Sequence, residues 1–404
     1  MSESVLVRPE PSAPPAAGRP AWESRVSGRG RPAFRDRPAP RPDDVQLMSS
    51  DYLALAKHPE VVAARSGALR EHGAGPMTPG VFVLDDPVPD GARLRRFELE
   101  MAEFLAAPAT VACQSGWDAN VGLLATLLGP ETAGCPVYPD TLAHASLWAG
   151  TRGTAAELHP FVHNDVEHLR RLLAQYGPGV VCVDTLYSTT GDTAPLTDIV
   201  EACDEFGATL VADESHALGV LGPRGNGLAA ALGLAERVAF RTAGLANAFA
   251  GRAGLIACSR RFADYLPFHS LNAIYSSTLP PHDIAGLHAA LRIILTDDAR
   301  RDRLAQVTSK LHEGLRAAGC DTRPSRSPIL PLHAGTDLNL AEMQARLDDQ
   351  GILGAAFLPP TTPRNRALLR LTAHSELTDQ QIDRVIAACA SIAPLIRLRP
   401  QAHR

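Results

Sequence analysis

Asp213 closes the apolar run ATLVA, which puts a carboxylate at the buried end of a core strand. An acid there either caps a helix or turn beginning at ESH or holds a proton on a partner nitrogen. Taken alone, the residue leaves both open. His216 follows three residues later and can hydrogen-bond a ligand oxygen, although a lone histidine is more often structural. His144, in YPDTLAHASLWAG, can stack its imidazole on an aromatic ring or simply sit at a helix start. Ser115, Gly116 and Trp117 follow a β-rich run and open a helix. Backbone N–H groups at such a start suit a phosphate, yet an SG pair is common. Metal binding fits poorly, because His144, His163 and His216 have neither ligand spacing nor Cys/His partners nearby. Position 247 is Asn, whose amide nitrogen has no nucleophilic lone pair.

The elements that position these residues alternate in type. Short β-rich runs recur at 109–113, 179–184, 208–213, 238–243 and 253–258, with helix-period stretches such as 165–176 and 195–206 between several of them. That alternation predicts a mostly parallel sheet covered on both faces, with function at the carboxyl ends of its strands. Gly116, Ser188, Asp213 and Asn247 all fall there. After Pro281 a long helical stretch runs to about 318, followed by strands near 328–333, 352–357 and 366–372 and helices near 339–350 and 378–394. The expected organisation is a flexible Pro/Arg-rich arm (1–45), a large α/β domain (46–290) whose segment 46–100 partly packs on the small domain, a small α+β domain (291–395) and a tail (396–404).

Eight arginines in the arm are interleaved with six acidic residues, which reads as a solvated tail. A net charge of −5 over 404 residues gives no reason to expect nucleic acid. Seven cysteines without a CxxC pair suggest buried free thiols and a reducing cytoplasm. No apolar stretch is long enough to span a bilayer, and the N-terminus lacks a signal peptide's apolar region. The chain has two lysines, Lys57 and Lys310, neither in a segment that reads as active site.

In combination, SSDYLALAKHP (49–59), CQSGWDANVGL (113–123), HPFVHNDVEHLRRLL (159–173), DESHALG (213–219), TAGLANAFAGRAG (242–254), YSSTLPP (275–281) and LLRLTAHSELTDQQI (368–382) resemble the α-oxoamine synthases. These are pyridoxal phosphate (PLP) enzymes of the aspartate-aminotransferase fold, fold type I. The segments are most similar to those of the quorum-sensing α-aminoketone autoinducer synthases, and the likeness covers roughly residues 45–395. It implies that His144 stacks on the cofactor ring, Asp213 pairs the pyridine nitrogen and His216 meets the phenolic oxygen. Ser188 lies close to the ring, Ser115, Gly116 and Trp117 near the phosphate, and Arg370 holds a substrate carboxylate. Thr78, Ser277 and Thr278 belong to segments that reach the neighbouring subunit's site in a homodimer.

Three positions depart from the family pattern. Asn247 replaces the Schiff-base lysine, Gly244 a phosphate-binding hydroxyl, and Ser50 an Asn that helps place the amino acid. The resemblance therefore implies an acyltransferase that takes acyl-CoA and a small-molecule amine, with PLP held non-covalently or absent. A non-catalytic partner of a catalytic paralogue, and an engineered lysine-to-Asn form of an active synthase, are the other readings.

Overall fold

The computed structural model describes residues 39–75, 78–82 and 89–396. The expected arm lies outside these residues as far as 38, as does the tail from 397. Eleven strands, β1 (Val45–Leu47), β2 (Ala109–Cys113), β3 (Pro136–Pro139), β4 (Glu157–Leu158), β5 (Val180–Asp184), β6 (Thr209–Asp213), β7 (Phe240–Gly244), β8 (Gly254–Cys258), β9 (Ile329–Gly335), β10 (Ile352–Phe357) and β11 (Ala367–Thr372), form two sheets among the described residues.

The larger sheet has the order β2-β8-β7-β6-β5-β3-β4. Its strands run parallel except β8, which is antiparallel to both neighbours. Parallel strands covered on both faces should be apolar throughout rather than alternating. VVCVD in the parallel strand β5 is buried at every position, and so is GLIAC in the antiparallel β8. The mostly parallel sheet is the one that the strand–helix alternation predicts, and the fold is the aspartate-aminotransferase-like fold type I that the family resemblance implies. The strands expected at 109–113, 179–184, 208–213, 238–243 and 253–258 are present with bounds shifted by at most two residues. β3 was not expected. Its sequence PVYP carries two prolines, and β3 lies between β5 and the two-residue strand β4 near the sheet edge.

Helices cover the sheet. They include α1 (Pro59–His72), α2 (Pro89–Leu105), α3 (Gly116–Leu127), α4 (Ala145–Arg152), α5 (Val166–Tyr176) and α6 (Leu196–Phe206). The expected continuous helix from Pro281 to about 318 is two helices, Pro281–Thr296 and Asp298–Ala317, interrupted at Asp297, where ψ is 73°. The smaller sheet has the order β1-β10-β11-β9. β1 pairs in parallel with β10, so a strand near the start of the described chain completes a sheet built from its last third.

The start of α3 makes the tightest contact with the large sheet. A Cβ on Gly116 would lie 2.6 Å from the Gly244 Cα, and one on Gly254 only 2.0 Å from the Ser115 carbonyl oxygen. Both obstacles are backbone and cannot swing away. Glycine at 116 and 254 therefore lets a helix N-terminus sit directly against the ends of β7 and β8.

Gly254→Ala should lower stability by about 1–3 kcal/mol through overpacking. Gly67, inside α1 with nothing near its added Cβ, should gain about 0.5–1 kcal/mol as Ala. Urea melts of the two variants test the pair, and equal effects would contradict the packing described.

Candidate active site

Asp213 ends β6 and is buried. One carboxylate oxygen accepts the Asn120 side-chain amide at 2.6 Å, and the other accepts the Ser215 backbone N–H at 2.8 Å. Asn120 also donates to the Ser146 hydroxyl at 2.8 Å and accepts from Thr242 at 2.6 Å. One buried amide thus ties together α3, α4, β6 and β7. Burial, and next the neighbouring Asp213 carboxylate, push the Asp184 carboxyl well above the usual range. Asp184 in turn accepts the His144 backbone N–H at 3.0 Å.

His144 is the N-cap of α4, with its Nδ1 2.6 Å from the Ser146 hydroxyl. Its ring meets that of half-exposed Trp117 edge-on, at 6.3 Å between centroids. Ser115 caps α3 by accepting the Asp118 N–H.

Three residues beyond Asp213, His216 Nδ1 lies 2.7 Å from the hydroxyl of fully buried Tyr52. Burial first, and then the charge of Arg370, lower the His216 pKa from 6.5 to about 3. Burial raises the Tyr52 phenol to about 12. Arg370, on β11, donates to the Ser188 carbonyl at 3.0 Å and to the Ser50 hydroxyl at 3.4 Å, and stacks on Phe357. Its Nε is buried without a partner.

Asn247 lies in the turn after β7, and its amide donates to the Ser215 carbonyl at 2.8 Å. The Ser215 hydroxyl accepts the Gly244 N–H at 2.6 Å. Lys57 is exposed, and Lys310 is half-exposed and paired with Asp379 at 3.0 Å.

Residues 45–388 match the model of the family described as aminotransferase class I and II. The chain belongs to that family. Among similar proteins, the CAI-1 autoinducer synthase of Vibrio campbellii is 39% identical over 350 residues, covering 87% of each chain. The 8-amino-7-oxononanoate synthase of Anaeromyxobacter sp. (strain K) is 36% identical over 352 residues, covering 87% of this chain and 86% of that one. A structure of serine palmitoyltransferase from S. paucimobilis with a bound PLP–myriocin aldimine superposes with a TM-score of 0.82 and 26% identity, covering 92% of this chain and 95% of that one. These relatives are α-oxoamine synthases, so the chain is an α-oxoamine synthase relative within the aminotransferase class I and II family.

In this family member most of the expected site residues converge. Asp213, Asn247 and Gly244 meet through Ser215; Gly116 abuts Gly244; Ser50 and Ser188 meet through Arg370. Thr78, Ser277 and Thr278 form a separate strap, in which the Thr278 N–H donates to the Thr78 carbonyl and Pro79 bridges Ser277. Among the described residues no hydrogen bond joins this strap to the Asp213 cluster. Sequence reasoning missed Asn120, Tyr52, Ser146, Asp184 and Ser215. Asn120 carried a usable signal: it is a polar residue one turn into α3, next to Ala119 and close to Leu123 and Leu124 on the buried face. Tyr52 offered none, because its partner is 164 residues away.

The His216 shift has a consequence for acid stability. The unfolded histidine takes up a proton below about 6.5, whereas the folded one does so only near about 3. Stability is therefore intact above about 6.5 and is lost as pH falls toward about 3. His216→Gln should flatten that acid limb in pH-dependent urea melts, and an unchanged limb would show that His216 is not held neutral.

Proposed function

We propose that the chain is an acyl-CoA-dependent acyltransferase that acylates an amine or amino-acid-derived substrate without a Schiff-base lysine. The observation that carries this reading is Asn247, tied to the Ser215 carbonyl amid an otherwise intact set of buried binding groups. A buried guanidinium costs free energy unless its donors are met. Arg370 has one buried donor with no partner, which suits the carboxylate of an amino-acid-derived ligand.

The residues fit PLP held without a covalent bond. The Asp213 carboxylate suits a ring N–H, the glycine-lined start of α3 suits a phosphate, and the His144 ring suits stacking. They do not fit a covalent tether, since position 247 offers no amine. When bound, PLP supplies an electron sink for the carbon bearing the amine.

The chain's own groups then do the following. Asp213 would accept from the ring nitrogen, its carboxylate held in place by Asn120 and the Ser215 N–H. The Tyr52 hydroxyl pairs with His216 Nδ1; where the phenol is the donor, Nε2 carries the ring proton and would donate to a ligand oxygen. Arg370 orients the carboxylate. With no lysine to move a proton, His144 is the nearest base. Acylation at nitrogen or oxygen forms no carbanion and is the easier chemistry for this residue set.

A homodimer completes the arrangement. Phe82, Phe268, Leu271 and Tyr275 are exposed close to the Thr78–Thr278 strap. Exposed apolar groups clustered in this way favour a subunit contact.

Isothermal titration with a panel of acyl-CoAs tests the substrate class. Binding by at least one member is expected, and binding by none would replace the enzyme reading with that of a non-catalytic partner subunit. Borohydride reduction with PLP should leave no pyridoxyl mass on Lys57 or Lys310.

Asn247→Lys should give a yellow PLP complex, and Gly244→Ser should tighten it further. A Cβ at 244 fits, with its nearest atoms at 3.4 Å. A hydrogen bond to a charged phosphate is worth roughly 1.5–3 kcal/mol, about tenfold in affinity or more. If the double variant stays colourless at saturating PLP in an absorbance titration, the PLP-site reading fails.

A further inference from the structure

His163 stands outside the residues that face the cleft, yet it is the most heavily engaged histidine near it. Its Nδ1 is 3.0 and 3.1 Å from the two carboxylate oxygens of Asp140, and its Nε2 is 2.9 Å from Asp192. Asp140 follows β3 and is fully buried, while the His163 and Asp192 side chains are only 13% and 12% exposed. The Tyr187 ring meets the imidazole edge-on at 4.4 Å.

Each carboxylate organises a loop that leads to the site. Asp140 accepts the Leu142 N–H at 2.7 Å, and its carbonyl accepts that of Ala143, which shapes the turn into His144. Asp192 accepts from the Thr190 hydroxyl, and its carbonyl accepts the Tyr187 N–H at 3.0 Å, closing the turn that contains Ser188. Ser188 is the residue whose carbonyl receives Arg370. Asn164 adds its own N–H to Asp140 and its amide to Asp192, from a left-handed conformation with φ 58° that asparagine tolerates.

We propose that His163 is a positioning residue: a protonated imidazole that clamps Asp140 to Asp192 and so holds the His144 loop and the Ser188 loop in register where they leave the neighbouring strands β3 and β5. Only the imidazolium has an N–H on both ring nitrogens, so only it can donate to both carboxylates at once. A neutral ring leaves one carboxylate facing a nitrogen lone pair. The groups that face it are Asp140, Asp192, the Tyr187 ring and, at longer range, Asp184, while His168 on α5 is taken up by the Val162 N–H. Burial alone would lower the His163 pKa, but the two aspartates outweigh it and raise it from 6.5 to about 9. Its stabilising contribution is therefore complete below about 6.5 and is lost as pH rises through about 9.

This inference deepens the function proposed above, because the loops it fixes belong to that cleft, but its test needs no PLP and no substrate. The apoprotein, labelled on histidine ring nitrogens and backbone amides, is titrated by NMR, with His163→Gln used to assign the ring. The ring should carry two protons at pH about 8 and titrate near about 9, unlike an ordinary histidine. The backbone amide signals of His144 and Ser188 should shift with the same midpoint. Asp192→Asn keeps the shape and removes one charge, so it should lower all three midpoints together by about one unit or more. A ring that titrates as an ordinary histidine overturns the proposal. So does a ring that titrates near 9 while the His144 and Ser188 amides do not follow. A failure of PLP or acyl-CoA to bind would sink the functional reading while leaving this result untouched.

Discussion

The Asn120 amide is the contact on which the site's geometry turns. Two oxygen partners receive its N–H groups, Asp213 and Ser146, and its own oxygen receives Thr242. A buried amide left half-satisfied costs about 1–3 kcal/mol, so each partner is fixed by the need to complete the others. The carboxylate at the end of β6, the helix that starts at Gly116 and the helix capped by His144 are therefore one hydrogen-bonded unit. The glycine contact between α3 and the ends of β7 and β8 sets how deep that unit sits.

Charge is distributed across the cleft with few free cations. Asp184 is pushed toward its protonated form by burial and by Asp213, and His216 is kept neutral by burial and by Arg370. Arg370 is the buried cation on the ligand-facing side, held by a carbonyl, a hydroxyl and an aromatic face rather than by a carboxylate. On the function proposed above, that cation would meet an anionic group and the Asp213 carboxylate would accept from a ring nitrogen. Position 247 offers no amine for a covalent link.

Much of this was legible in the sequence because it is local. The runs ending at Cys113, Asp184, Asp213 and Gly244 are short and mostly apolar or β-rich, and strand ends collect function in a parallel sheet. Asp213, His216 and Asn247 could be placed from their distance to those ends. The fold followed from the same alternation, together with motifs spread over most of the chain. What could not be read is non-local. Tyr52 meets His216, Ser50 meets Arg370, and Asn120 meets Asp213 across 164, 320 and 93 residues. Position 247 was legible as a departure, but its amide's hydrogen bond to the Ser215 carbonyl was not, since no spacing rule predicts which carbonyl an asparagine finds. β3 was missed because prolines argue against a strand, and here they fall near a sheet edge where a missing N–H is tolerated.

The parallel pairing of β1 with β10 ties residue 45 to residue 352, and the segment just after β1 carries Ser50 and Tyr52. On a ribosome, the large sheet can close once residues near 258 have emerged, but the cleft cannot. One of its walls waits for β10 and β11, roughly a hundred residues later. Contacts of such long sequence separation form late, because their loop-closure entropy must be met first. Until then the strand before Ser50 and Tyr52 has no β10 to join, and Arg370, the partner of Ser50, has not been made. A ligand that binds only the closed cleft cannot associate during that interval, so the nascent chain must reach its final quarter without help from anything its own site recognises.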